Sequence, residues 1–421
     1  MSEIIDQLPA CTLLGQDDQI ISGFVPKGNI PIPLINGTRF VFQMVPQETV
    51  ITKIRLRFAT YCRINHCHIT LEVHAQNVCK VSFSAKDLLD NQEIDIALPL
   101  AQSCVAQQPI KIILYSEDAT SEHVVALWCS RKLPEFVHTL DFHLPLKHTT
   151  HNDIRVSIVI PVFNKALYTY NCLLTLLACD QEIGQEIIVV NNASTDETKT
   201  LLAHFEGRRL QCIDNKENNF FVQACRQGAD IAIGEFILFL NNDTQVMPGW
   251  LSSMIRMMET DPKIGITGSK LIYPDGRLQE AGGIIFSDAN GCNYGRLQDP
   301  SLPVFNQSRE VDYCSGASLM IRKTLWEQLG GFDMRFSPAY YEDTDLCFAA
   351  RQAGYRVMYC YESEVIHHEG ITAGTDLTQG YKAYQVVNKE KFIQKWSAVL
   401  TQHHLPSHTP FDIAAQRLVC L

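Results

Sequence analysis

Glu235-Phe236-Ile237-Leu238-Phe239-Leu240-Asn241-Asn242-Asp243-Thr244 is the stretch that decides the fold. Its five consecutive bulky apolar residues, Phe236 to Leu240, read as a strand buried on both faces. Two amides and a carboxylate follow at once, groups that a buried strand cannot carry without partners. A carboxylate at the carboxyl end of a strand in a parallel sheet stands where such sheets bind ligands. The expectation is that Asp243 holds a divalent metal against a nucleotide diphosphate. Taken alone, Asn242-Asp243-Thr244 reads equally well as a turn after a strand.

Upstream of this stretch, strands and helices alternate. Strands are expected at 156–162, 186–190 and 210–213, each a short apolar run. Between them lie a helix with Leu167, Tyr170, Leu174 and Leu177 on one face and a helix through Leu201, Leu202 and Phe205. Ser194-Thr195-Asp196-Glu197 reads as a capping box opening the latter. A helix at about 222–233 leads into the fourth strand. The pattern predicts an α/β fold with a parallel sheet whose ligand edge lies at the strand carboxyl ends. No G-x-G-x-x-G and no phosphate loop with Gly-Lys-Ser/Thr follows any strand, which argues against a dinucleotide oxidoreductase. Downstream, helices are expected near Trp250, at 325–329, 345–353 and 384–400, and strands at 264–273, 318–321 and 357–361.

The first third has another texture. Ile54, Leu56 and Phe58 alternate with Arg55 and Arg57, and Ile69, Leu71 and Val73 with Thr70 and Glu72. Further strand-like runs fall at 39–42, 81–83, 94–98, 110–115 and 124–128. Short strands separated by polar turns predict an all-β sandwich domain, of a kind that binds glycans or serves in packing and oligomerisation. The expected organisation is an irregular lead-in at 1–35, the sandwich at 36–131, a linker at 132–153, the α/β domain at 154–400 and a tail at 401–421.

The bulk numbers fit a soluble two- or three-domain protein: 421 residues, 46% hydrophobic and 19% charged. A net charge of −11 without a basic cluster excludes a nucleic-acid scaffold. The 15 scattered cysteines suggest reduced thiols in a cytoplasmic protein rather than zinc or disulfides. Neither a signal peptide nor an apolar run of about 20 residues is present in the sequence, so any membrane contact is expected to be peripheral.

Seven motifs in order carry a resemblance over 154–400. They are Val159-Ile160-Pro161-Val162-Phe163-Asn164, Val189-Val190-Asn191-Asn192-Ala193-Ser194-Thr195-Asp196, and Leu238-Phe239-Leu240-Asn241-Asn242-Asp243. Cys314-Ser315-Gly316-Ala317, Gly330-Gly331-Phe332-Asp333, Tyr341-Glu342-Asp343-Thr344-Asp345-Leu346-Cys347 and His367-His368-Glu369-Gly370 follow. Together they resemble the inverting glycosyltransferases of family 2, which adopt the GT-A fold, a Rossmann-like nucleotide-binding sheet with a mixed C-terminal half. Bacterial enzymes of cell-surface polysaccharide synthesis look most similar.

The resemblance implies a donor sugar linked to UDP, dTDP or GDP, a glycan or polyprenol-linked acceptor, and Mn²⁺ or Mg²⁺ held by Asp243 and His367. His368, its neighbour, remains an alternative ligand. It implies that the proton-accepting base lies in the Glu342–Asp343 pair, at Asp343; Asp343 or Thr344 would also suit a helix N-cap. Pro161, Phe163, Asn164, Asn191 and Asn192 would contact the nucleotide, with Asn241 and Asn242 beside the metal. Ser315 and Gly316 would line the donor-sugar pocket, or merely pack in a strand. The chain departs from the family pattern in four places: Asn241 stands where relatives carry Asp, Asn191 and Asn192 where they usually carry one Asp between them, Phe220 where they carry Gly, and Arg226 where they carry Asn. Arg226 would meet a phosphate or a helix-face carboxylate. These departures motivate the competing expectation, a catalytically weak glycan-binding or scaffold protein.

Overall fold

The computed structural model describes residues 11–14, 20–24, 29–33, 39–44, 50–59, 65–88, 93–103, 110–118, 126–130, 154–180, 182–205, 210–369, 380–410, 413–414 and 417. The chain divides into two compact units, 1–145 and 146–421. The expected linker at 132–153 lies outside the described residues.

The first unit is all β. In chain order its strands are β1 (Cys11–Leu14), β2 (Ile20–Phe24), β3 (Asn29–Pro33), β4 (Arg39–Met44) and β5 (Val50–Ala59). Then come β6 (His68–His74), β7 (Val78–Ser84), β8 (Glu93–Ser103), β9 (Ile110–Tyr115) and β10 (Ala126–Ser130). One antiparallel sheet runs β2-β1-β5-β10-β3, with β8 also on β5; the other runs β4-β9-β6-β7. The period-two residues Ile54, Leu56, Phe58, Ile69, Leu71, Val73, Ile112 and Leu114 are all fully buried. Phe58 and Phe83, one from each sheet, meet edge to face at 6.1 Å. The lead-in is not irregular, because it supplies β1, β2 and β3. The two prolines of Asn29-Ile30-Pro31-Ile32-Pro33 mask a strand that is tolerated because β3 lies at a sheet edge.

The second unit opens with β11 (Val156–Val162), α1 (Ala166–Ala178), β12 (Gln185–Asn191), α2 (Thr198–Phe205), β13 (Leu210–Asp214), α3 (Phe220–Ile231) and β14 (Phe236–Leu240). It continues through β15 (Thr244–Val246), α4 (Trp250–Thr260), β16 (Ile264–Ile272), β17 (Leu278–Glu280), β18 (Gly283–Ile285), β19 (Gly291–Asn293) and β20 (Arg309–Glu310). It closes with β21 (Ser318–Arg322), α5 (Lys323–Leu329), α6 (Glu342–Gln352), β22 (Arg356–His367) and α7 (Tyr384–Leu400). The large sheet has the order β13-β12-β11-β14-β21-β16-β22-β15. Its first four strands are parallel and β21 runs against β14, so the sheet is mixed from there on. As expected for strands covered on both faces, β11, β12 and β14 are buried at every position. Phe239 of the opening stretch packs on Trp326 at 4.8 Å and Phe332 at 4.9 Å.

Three local expectations are corrected. Helix α2 starts at Thr198, and its start is capped by Asp196 rather than Ser194. The Asp196 carboxylate accepts the Thr198 N–H at 3.1 Å and the Ala166 N–H that opens α1 at 3.0 Å. The tail is not separate: Ile413 and Ala414 are buried, and Arg417 pairs at 3.0 Å with Asp312, itself fully buried. Two apolar residues are too few to show a period, so pattern alone could not attach it. The strand expected at 357–361 extends as β22 to His367. Among the described residues no helix is long and apolar enough to cross a membrane, and the ten cysteines whose side chains are described are all free.

Candidate active site

The sheet brings the opening stretch to His367 by strand pairing. β15 lies antiparallel to β22 with Thr244 opposite His367. The Asp243 carboxylate therefore stands 3.3 Å from His367 Nε2, both groups more than nine-tenths buried. The His368 N–H donates to the Asp243 carbonyl at 3.0 Å. On the other side of the ring, His367 Nδ1 lies 2.9 Å from Gln279 Oε1. The Gln279 oxygen accepts from Nδ1, and Nε2 stands 3.3 Å from both the Asn241 amide and the Asp243 carboxylate. Gln279 is held in turn by Glu369 (3.1 Å), which also accepts from Tyr273 (2.6 Å) and Arg296 (3.2 Å). Burial pushes the Asp243 carboxyl up, but the charges of His367 and His368 and the His367 hydrogen bond outweigh it and hold it below the usual range. His368 turns its ring onto Tyr168 at 5.1 Å and does not line the cleft.

Helix α6 begins at Glu342, three residues earlier than expected, so Asp343 sits in its first turn and Tyr341 occupies the cap position. Tyr340 and Tyr341 both adopt the left-handed region, at φ +77° and +71°. Asn388 of α7, fully buried, holds that turn by donating to the carbonyls of Phe336 (2.7 Å), Ala339 (2.9 Å) and Tyr340 (3.0 Å). Asp343 Oδ2 accepts the Gly316 N–H at 2.9 Å and Oδ1 the Thr344 N–H at 2.7 Å. A Cβ at position 316 would make only ordinary van der Waals contact with Asp343 and Phe221, at 3.6 Å. Burial raises the Asp343 carboxyl above its ordinary range, against the pull of those amides. Its neighbour Glu342 is a different group. Its Oε2 is buried without a hydrogen bond, and burial and the charge of Asp343 push it well above the carboxylate range. Asp345 faces away, onto Trp396 (2.7 Å) and Lys395 (2.8 Å).

The nucleotide-side residues divide. Pro161, Phe163 and Asn192 line the cleft, but Asn164 and Asn191 do not. Asn164 Oδ1 accepts the Thr195 N–H (2.7 Å) and its own N–H reaches Ser194 Oγ (2.8 Å), tying two loops together. The Asn191 amide donates to Asp214 at 2.8 Å and accepts from Ser194 N–H at 3.1 Å. Asn242 lines the cleft while its amide is spent on Thr169 at 2.9 Å. Short polar side chains that can bind backbone make good loop fasteners, and motif position alone does not separate that use from ligand binding. Arg226 donates to the carbonyls of Gly330 (2.6 Å) and Phe332 (2.7 Å) rather than to a helix-face carboxylate. Phe220, at φ +63° and 41% exposed, lines the cleft where the family pattern has Gly.

Sequence reading missed Glu280. It ends β17, is 2% exposed, lines the cleft and accepts the Ser315 N–H at 3.2 Å. Burial, with the charge of Asp343, pushes its carboxyl up to about 8. Two polar residues, Gln279 and Glu280, between the apolar Leu278 and Ala281 were the available signal, but a three-residue strand shows no period.

One cleft of about 590 Å³ is lined by Asp243, His367, Asn241, Ser315, Gly316, Glu280, Glu342 and Asp343, together with Pro161, Phe163 and Asn192. Among the described residues no three His, Cys, Asp or Glu side chains converge as a metal cage. The Asp243–His367 pair supplies one oxygen and one nitrogen, a donor set that suits Mn²⁺ or Mg²⁺ when phosphate oxygens and water complete the shell.

Residues 157–330, from β11 through α5, match the family model described as glycosyl transferase family 2. The second unit carries a family 2 glycosyltransferase domain. The chain is 29% identical over 231 residues to O-antigen biosynthesis protein RfbC of Myxococcus xanthus, covering 53% of this chain and 18% of that protein. It is 26% identical over 183 residues to an N-acetylglucosaminyl-diphospho-decaprenol L-rhamnosyltransferase of Mycobacterium tuberculosis, covering 40% and 59%. The chain thus spans less than two thirds of these relatives. Among solved structures, GalNAc-T7 with UDP, GalNAc and Mn²⁺ superposes at a TM-score of 0.48 and 15% identity, over 60% of this chain and 51% of the other. Asp343, His367 and Asn388 all follow residue 330, the last that the family model matches.

Proposed function

We propose that this protein is an inverting glycosyltransferase that moves a sugar from a nucleotide-diphosphate sugar to a hydroxyl of a glycan or lipid-linked acceptor, in bacterial surface polysaccharide synthesis at the cytoplasmic face of the membrane. The observation that carries it is the sharing of one cleft by the Asp243–His367 pair and the amide-held carboxylate of Asp343. Asp243 and His367 would hold the divalent cation, which when bound offsets the charge of the leaving diphosphate. Pro161, Phe163 and Asn192 flank the nucleotide. Asp343 takes the proton from the acceptor hydroxyl as its oxygen attacks the anomeric carbon and the bond to phosphate breaks. A carboxyl raised by burial is the stronger proton acceptor, and two amide donors fix its direction. Glu342, buried and pushed toward its neutral form, supports this turn rather than exchanging protons with substrate.

The test is nucleotide release from UDP-, dTDP- and GDP-sugars with Mn²⁺ or Mg²⁺. Wild-type protein is expected to release nucleotide from one of them only with metal. Asp343→Asn should abolish transfer and bind nucleotide within about twofold of wild type. Equal loss of both would refute the base assignment, and no release with any donor would refute the enzyme.

A further inference from the structure

We propose that Glu280 is a specificity-determining residue that hydrogen-bonds a hydroxyl of the sugar bound beside Asp343. The assignment rests on the transferase reading above. Successive amides of one segment each hold a carboxyl group lining the cleft: Ser315 N–H holds Glu280 at 3.2 Å and Gly316 N–H holds Asp343 at 2.9 Å. The two carboxyls are therefore set by the same short piece of backbone that enters β21, and what binds against one is in reach of the other. Glu280 is 2% exposed and that single long hydrogen bond is the only one it makes among the described residues. A carboxyl so buried is costly unless a further partner arrives.

Burial and the charge of Asp343 raise the Glu280 carboxyl and outweigh the charge of Arg296, which lowers it. Arg296 is committed to Glu369 at 3.2 Å, and the Tyr313 hydroxyl donates to Asn293 at 2.8 Å. The ionisable groups around Glu280 are Asp343 and Cys347 on α6, Tyr359 in β22 and Glu369 after it, Arg296 and Cys292 from the segment after β18, and Tyr313 and Cys314 before β21. With two carboxyls, Asp343 and Glu369, among them, Glu280 gains nothing by ionising and stays a neutral acid up to about pH 8. A neutral carboxyl offers one O–H donor and acceptor oxygens, the complement of a sugar hydroxyl. A group that must remain neutral beside an ionised base is also the one whose deprotonation would place a second negative charge next to the departing diphosphate.

The experiment measures kcat/KM from pH 6 to pH 9.5 for wild type, Glu280→Gln and Glu280→Ala with the donor found in the UDP-, dTDP- and GDP-sugar panel, beside nucleotide–Mn²⁺ binding by calorimetry. Gln keeps both the acceptor for Ser315 and a donor for the hydroxyl. Glu280→Gln should stay within about fivefold of wild type at pH 7 and lose the decline that wild type shows above about pH 8. Glu280→Ala should fall about 100-fold in kcat/KM with nucleotide binding within twofold. If Ala destabilises the fold, the alkaline limb of the isosteric Gln variant carries the test. An Ala variant within threefold of wild type, or a Gln variant that keeps the wild-type alkaline limb, overturns the assignment and leaves the transferase standing. A wild type that releases no nucleotide overturns both.

Discussion

Asn388 is 45 residues from Asp343 in sequence yet decides where α6 begins. Its side-chain amide has two N–H groups facing three carbonyls, those of Phe336, Ala339 and Tyr340. Two hydrogen bonds at a net 0.5–1.5 kcal/mol each make the clamp worth about 1–3 kcal/mol. Against it stands the left-handed backbone of Tyr340 and Tyr341, which costs roughly 1–2 kcal/mol per residue. The two terms nearly balance, so the turn keeps its shape only while the clamp holds. Replacing Asn388 with Ala should lower stability by about 2 kcal/mol, a fall of about 4–8 °C in Tm. The larger effect should be catalytic: relaxation of the turn moves the first residues of α6, and a 1 Å misplacement of a reacting group costs on the order of 100-fold. Asn388→Asp should be worse than Ala, because it aims oxygens at three carbonyl oxygens. The assay is kcat for transfer beside nucleotide binding by calorimetry and thermal unfolding by circular dichroism. A variant with the expected drop in Tm but wild-type kcat would refute the reasoning, since the base would then need no help from α7.

Further outcomes follow from neighbouring features. Phe220→Gly should raise stability by about 1 kcal/mol, because glycine accepts φ +63° without strain; if the exposed ring contacts substrate, KM for donor or acceptor rises in the same variant, and thermal melts with steady-state kinetics read the two effects apart. Gln279→Leu removes the partner of His367 Nδ1 and should weaken Mn²⁺ binding in the presence of UDP about 10- to 100-fold by calorimetry; unchanged affinity would mean the ring needs no orienting. The Glu280 carboxyl, raised from 4.5 to about 8 in the fold, is protonated in the native state and ionised in the unfolded chain between those values. Its contribution to stability is therefore complete below about pH 4.5 and lost as pH rises through about 8. Between pH 6 and 8 wild type should lose about 2 kcal/mol more than Glu280→Gln in urea unfolding; parallel losses would place the shift elsewhere.

The fold was legible where burial is two-sided or strictly alternating. Phe236 to Leu240, Val156 to Val162 and the Ile54–Leu56–Phe58 alternation each leave one reading. Elements too short or too polar to show a period escaped: β3 with its prolines, β17 with Gln279 and Glu280, and the tail that carries Ile413 and Arg417. The site was legible as motifs but not as atoms. Asp243, His367 and Asp343 share the cleft, whereas Asn164, Asn191 and Arg226 hold backbone or neighbouring side chains together. An asparagine at a strand end serves either purpose, and only the partner across the gap tells which. Glu280 fell outside every motif because its neighbours in the cleft come from other strands.

The pairing of β15 with β22 also has a consequence for how the protein is made. Asn241 and His367, in contact across that pairing, are 126 residues apart, and Asn388 closes on its turn later still. As the chain leaves the ribosome, β11 to β14 can pair among near neighbours, whereas β15 has no strand to lie on until β22 has emerged. During that interval β16 and β15 both lack the strand that will lie between them. Synthesis therefore completes the parallel half of the sheet first and the mixed half last, and a stall between the two leaves an unpaired strand.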